Sequence, residues 1–329
     1  MRPAAIISAL ALVACMPART SPSTIAATLP ATSTITEISV PQPVVAPVGV
    51  AAQGNIAIIT SRDPSFVYLV DLSSMRWHQV TAVPADSGPF GVTAGQRSGE
   101  FWVSLFRGGY GKNQHWTGVL RISSGTAKIF RFTAPGENPA LTGVTADGQY
   151  VYTTELRGNH IDRLDQRTGR FIRYRVLPAN AGLFDVTLYQ GNPWFTEANA
   201  SALGEVRSSG SIRSVPLRPR IRPIAVCTWG TSLAVIGQVP SALWIMAEGQ
   251  VVRTISLPVG SAPSACVSNG SALWLTDRGL NAILKIGLDY RVQIIPLPSA
   301  NAEPERIARS GRLIIFTESR AGKIGILHP

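Results

Sequence analysis

Apolar and polar positions alternate in short runs along most of this chain, and turn residues punctuate the runs. Residues 139–178 show the pattern best. "LTGVTA" (141–146) is a β-run and "DG" (147–148) a turn. "QYVYTTE" (149–155) is a second run, and "GNHIDRLD" (158–165) leads into a third. "QRTGR" (166–170) makes a hairpin turn, and "FIRYRVLP" (171–178) is a fourth run. The second and fourth runs are the most β-branched and aromatic, as strands require. Gly125, Gly210 and Gly249 mark the same turn elsewhere as Gly169 does here. No segment of the body has the period of a long amphipathic helix.

The pattern repeats. Units open at "PVGVAA" (47), "PFGVTA" (89), "PALTGVTA" (139), "LFDVTL" (183), "PIAVCT" (223), "PSACVS" (263) and "PERIAR" (304). Pro223 and Pro263 are 40 positions apart, and Pro263 and Pro304 are 41. The second unit is longer, with its extra length in "FRGGYGKNQHWTG" (106–118). Four strands per unit at this period predict a β-propeller. The last unit stops after its third strand, "AGKIGILHP", and the missing fourth is "STITEISVPQP" (33–43), at the other end of the chain. Pairing the two closes the ring and removes its open edge. The expectation is an all-β, seven-bladed propeller spanning 33–329, its last blade completed by an N-terminal outer strand.

In such a ring the first strand of each blade lies along the channel. The loop entering it and the loop leaving the second strand share one face. The second strands end in "YVYTTE" (150–155), "NPWFTE" (192–197), "ALWLTD" (272–277) and "LIIFTE" (313–318). Glu155, Glu197, Asp277 and Glu318 are therefore expected at a funnel mouth, joined by Glu305 of "PERIA". Carboxylates crowded there repel one another unless a cation shares the site. Hard oxygen ligands suit Mg²⁺ or Ca²⁺. The favoured reading is that each acid accepts hydrogen bonds from backbone N–H groups of its own blade, with a shared cation site as the alternative. Trp102, Trp194 and Trp274 recur at one second-strand position and are expected between blades. Cys227 and Cys266 sit one repeat apart but one residue out of register, so their thiols either meet or point apart.

The start of the chain has another character. Met1–Arg2 is a basic start, and the apolar run after it is too short to span a bilayer as a mature helix. "LVAC" (Leu12–Cys15) closes that run and resembles a bacterial lipobox. Residues 1–14 thus read as a lipoprotein signal peptide and Cys15 as the acylated residue. Residues 15–32, with "TSPSTIAATLPAT" (20–32), form a Ser/Thr/Pro/Ala-rich tether. The expected location is outside a bacterial membrane, cell or outer, with the membrane as a partner through the lipid.

The formal charge is +11, and nearly all of it is arginine. Anionic envelope material would be attracted, although compositional bias accounts for the charge equally well. "RPRIRP" (218–223) has few aromatics near it, which argues against nucleic acid as a partner. "RGGYGK" (107–112) lacks the spacing and hydroxyl of a phosphate loop. No G-x-S-x-G, no H-E-x-x-H and no metal-spaced histidine pair occurs.

"NPWFTEANASALGEV", "ALWLTDRGLNAILKI" and "IIFTESRAGKIGIL", with the "P-x-[GA]-[IV]" openings, resemble the virginiamycin B lyase (streptogramin lyase) family. The resemblance covers residues 33–329. It implies a seven-bladed propeller and a Mg²⁺-dependent elimination that opens a cyclic depsipeptide at its ester without water. Such chemistry needs a cation on the ester carbonyl and a base for the proton alpha to it. On the family pattern, Asp277 and Glu318 are the metal-holding acids. The family's two histidines follow the opening prolines of the last two blades, where this chain has Ser264 and Glu305. The blade before them has Ile224, and none of the four histidines stands at such a position.

The leading expectation is therefore a propeller without the lyase base. Its funnel would bind a small molecule, a peptide or an envelope component. One alternative is a lyase with Glu305 as base and Asp277 and Glu318 near the metal. The other is a metal-dependent lactonase using the ring of acids.

Overall fold

Each blade opens with the same backbone irregularity. Where the innermost strand meets the second, one extra residue is inserted, as between Pro47 and Val50, Pro89 and Val92, or Pro304 and Ile307. All seven blades carry this bulge. A bulge leaves an N–H without its ladder partner. Here the hydroxyl one residue before the end of the second strand accepts it. Gly49 N–H donates to Thr60 Oγ1 at 2.9 Å, Gly91 to Ser104 at 2.9 Å, Gly143 to Thr154 at 2.8 Å and Asp185 to Thr196 at 3.0 Å. Ala265 donates to Thr276 and Arg306 to Thr317, both at 3.1 Å.

Most of these hydroxyls also reach the next blade. Thr60 donates to the Phe90 carbonyl at 2.7 Å, Ser104 to Thr142 at 2.6 Å and Thr154 to Phe184 at 3.1 Å. Thr276 donates to Glu305 at 3.1 Å, and Thr317 to Val48 at 2.8 Å, across the ring closure. One side chain thus satisfies its own bulge and staples the neighbouring inner strand. Blade 5 has Ile236 at this position and packs it in the core instead.

The computed structural model describes residues 34–81, 83–109, 115–133 and 138–329. It contains seven four-stranded antiparallel sheets. Their innermost strands are Pro47–Gln53, Pro89–Ala94, Leu141–Ala146, Leu183–Tyr189, Pro223–Trp229, Pro263–Ser268 and Pro304–Ser310, which number blades 1 to 7. Blade 7 takes its outer strand from Thr34–Ser39, paired antiparallel with Lys323–His328. The expected ring closure is observed, and it leaves no open edge between first and last blades. The expected signal peptide, tether and Cys15 lie outside the described residues, as do residues 110–114 of the long insertion.

Gly125, Gly169, Gly210 and Gly249 all have positive φ, between 73° and 81°, as tight third-to-fourth strand turns require. The core lies between blades. Trp102, Trp194 and Trp274 are buried there, in the position expected for them. The cysteine offset resolves in favour of contact. Cys227 and Cys266 form a disulfide between the inner strands of blades 5 and 6, with Cα atoms 6.1 Å apart. Closing a loop of that length contributes about 4 kcal/mol in the chain-entropy account.

Removing one staple tests the importance of the hydroxyl. Thr60→Val keeps the shape but orphans the Gly49 N–H and the Phe90 carbonyl. Each orphaned group costs about 1–3 kcal/mol. The variant is expected to unfold at a clearly lower Tm by calorimetry, whereas Thr187→Val, toward the opposite channel mouth and outside any staple, is expected to leave Tm near wild type.

Candidate functional site

The four recurrent acids do not gather at the funnel. Glu155, Glu197, Asp277 and Glu318 are all fully buried, and their partners belong to their own blades or the adjoining loop. Glu155 receives Arg173 of its outer strand at 2.7 and 2.9 Å, and His160 Nδ1 lies 3.1 Å away. Glu197 accepts a hydrogen bond from Ser214 of its outer strand at 2.9 Å. Asp277 accepts from the N–H groups of Ala262 and Leu280, both at 3.0 Å, and from the Ser261 hydroxyl. Glu318 lies beside Glu37 and Lys323 of its own blade. The funnel placement of Glu155 and Glu197 is thus corrected to the local reading.

The cause is steric. In blades 4 and 7 a glycine of the third strand leaves a hollow that a phenyl ring fills. A Cβ on Gly204 would stand 2.0 Å from the Phe195 ring, and one on Gly325 2.1 Å from Phe316. The acid two residues on lies on the same face and reaches over that hollow toward the outer strand. In blade 3 Asp162 replaces the glycine and sits beside Glu155. Burial and the Glu155 charge together push Asp162 well above the usual carboxylate range.

Asp277 and Glu318 do not fit a shared Mg²⁺ or Ca²⁺. Asp277 has its oxygens engaged by three protein donors. Among the described residues Glu318, in the next blade, has no hydrogen-bond partner on either oxygen, and Lys323 nearby is taken by Glu37 and Ser299. Among the described residues no group of three His, Cys, Asp or Glu side chains is arranged to hold a metal ion.

The second residues of four inner strands turn to the funnel face. Phe184, Ile224, Ser264 and Glu305 each follow a blade opening, and all four line one cavity of about 270 Å³ on the funnel face. Leu156, Ala198, Asn199 and Arg278, which follow the second strands, complete it with Arg222 and Gln238. The site is a hollow of mixed character, with Leu156, Phe184 and Ile224 beside Arg222, Gln238, Arg278 and Glu305. Glu305 is the one predicted site acid that faces it. Its carboxylate lies 3.3 Å from the Arg278 guanidinium, at the edge of the cavity. A hollow at the opposite channel mouth is lined by Thr187, Thr228, Val267, Ser268 and the bonded Cys227 and Cys266.

The fold points to one family, and a family model agrees, although the blade openings depart from its histidine pattern. The model of the virginiamycin B lyase family matches residues 128–329, well over half of the chain. The chain belongs to the virginiamycin B lyase family. Virginiamycin B lyase of Nocardia farcinica (strain IFM 10152) is 26% identical over 226 residues, covering 68% of this chain and 75% of that protein. The crystal structure of the Staphylococcus aureus virginiamycin B lyase superposes with a TM-score of 0.80 at 21% identity, over 91% of this chain and all of that one. A catalytically inactive histidine-to-alanine form of the same S. aureus protein, with quinupristin, superposes equally well. At these identities the structures show the fold. Within this family fold, Arg278 and the apolar wall escaped sequence reading, because only the tertiary structure brings the ends of second strands beside the starts of inner ones.

Two of the buried acids carry a pH signature. Burial pushes Glu197 up to about 7, against the Ser214 hydrogen bond. Burial, with Glu37 nearby, pushes Glu318 up to about 7, against Lys323. Unfolded, both release their protons near the ordinary glutamate value. Between about pH 4.5 and 7 the folded state therefore holds more protons, and stability falls as pH rises. Glu197→Gln and Glu318→Gln are expected to flatten that decline and raise Tm at pH 8. The effect is of order 1–3 kcal/mol each, read from calorimetric scans across the window.

Proposed function

We propose that this chain is an exported, lipid-anchored member of the family that binds a ligand in the funnel and lacks the lyase base. The observation that carries this reading is the Arg278–Glu305 ion pair at 3.3 Å, at the position where the family pattern has a histidine. A general base needs a free lone pair aimed at the substrate proton. A carboxylate shared with a guanidinium is a poor substitute for an imidazole. Ser264, at the other histidine position, is buried and directs its hydroxyl to the Pro304 carbonyl at 3.4 Å.

Export draws support from the disulfide, which persists in oxidising compartments, and from the lipobox-like "LVAC" (12–15). Thr34 pairs with His328 on the face opposite the funnel. A tether entering there would present the funnel away from the membrane. Cys15→Ser is expected to move the protein from the membrane to the soluble fraction. Continued membrane association would remove Cys15 as the anchor.

A carbon–oxygen lyase is the second reading, supported by Glu305 facing the same cavity as Ser264 and Arg278. Mass spectrometry separates the readings. Elimination opens the ester ring of a streptogramin B depsipeptide without changing its mass, and hydrolysis adds water. The expected result with the purified protein and Mg²⁺ is unreacted depsipeptide. An isomeric product that disappears in Glu305→Ala would establish the lyase. A hydrated product lost in Glu318→Ala would establish a lactonase-type hydrolase.

A further inference from the structure

Two residues break the repeat at the same inner-strand position, and they face each other. The third residue of the blade opening is Gly49, Gly91, Gly143, Ala225 or Ala265 in five blades, but Asp185 in blade 4 and Arg306 in blade 7. The small residues fit because the next blade is close. A Cβ on Gly49 would stand 2.2 Å from the Phe90 carbonyl oxygen, and one on Gly91 2.1 Å from that of Thr142. Asp185 turns toward its neighbouring blade and accepts the Val226 N–H at 3.0 Å. Arg306 instead crosses the channel. Its guanidinium comes within 3.9 Å of Asp185. It lies over two phenyl rings, 5.6 Å from the centre of Phe90 and 5.2 Å from that of Phe184. The two rings stand edge to face, 6.2 Å apart.

The donor count does not close. A guanidinium has five N–H donors. Among the described residues those of Arg306 make no hydrogen bond, because the Asp185 contact is too long for one. The side chain is only 12% exposed. Donors left unmet by the protein and turned into the channel are free for an acceptor that enters it. Phe184 belongs both to this cradle and to the wall of the funnel cavity, which puts Arg306 at the floor.

We propose that Arg306 is the anion-recognition group of the funnel and that the group it takes is a monocarboxylate, held by the guanidinium fork beside Phe90 and Phe184. This rests on the funnel being a binding site and names the chemistry of its ligand. The fork of an arginine matches a carboxylate bidentately. Asp185 and Glu305 nearby disfavour a dianion such as sulfate or phosphate.

Titration calorimetry with benzoate, acetate and sulfate tests it on wild type and variants shown by circular dichroism to be folded. Benzoate is expected to bind best. Arg306→Met is expected to weaken it at least tenfold, Arg306→Lys severalfold through loss of the fork, and Asp185→Asn to strengthen it severalfold. Unchanged benzoate affinity in Arg306→Met, or no benzoate binding to wild type, overturns the proposal. Sulfate bound in preference to benzoate assigns the site to inorganic anions and overturns the carboxylate assignment. A streptogramin B depsipeptide titrated in parallel keeps the two readings apart. If it binds while benzoate does not, the funnel stands and the role of Arg306 falls. If benzoate alone binds through Arg306, the role of Arg306 stands.

Discussion

A single buried hydroxyl per blade holds this ring together. Every inner strand is bulged where it approaches the channel, and a bulge leaves an amide without a partner. In six blades a threonine or serine near the end of the second strand takes that amide. In five of them the same oxygen donates to the inner strand of the next blade. Hydrophobic faces alone would let blades slide or rotate against each other. The hydroxyl sets their register, since it has one donor and few acceptors within reach. Thr317 makes the same bond across the chain's two ends, so closure uses the joint found elsewhere in the ring.

The recurrent acids belong to a second layer of the same design. They follow the stapling hydroxyl by one residue, so they turn to the other face of the strand and away from the channel. There they meet an outer strand and serve folding. Two of them are kept near neutral by burial, which makes them a liability as pH rises rather than a metal site. What faces the funnel cavity is instead the second residue of four inner strands. Phenylalanine, isoleucine, serine and glutamate at this level give the cavity its character. The bulge thus separates structural residues from functional ones within a few positions of each other.

The repeat period, the turn glycines and the displaced outer strand were all legible in the sequence. They are local or periodic features, and each has one physical reading. The role of Asp277 and Glu318 was not legible, because a recurrent acid at a strand end fits both a shared cation and a private hydrogen bond. Choosing between them requires the neighbours each carboxylate meets, which lie on other strands and loops. The cysteine pair was open for the same reason. A one-residue offset orients two thiols toward or away from each other depending on how the blades face, and here they meet. Asp185 and Arg306 left a trace as departures from the small-residue opening. Their partnership stayed hidden because they lie on opposite sides of the ring.

The sequence by itself determined the seven blades, their four strands and the N-terminal strand that closes them. Strand period and turn chemistry act over a few residues, and repetition amplifies them. Only the tertiary structure decided which acids serve the fold, which residues line the funnel and which charge crosses its floor. Those contacts join residues from different blades, and their geometry exists only once the ring has closed.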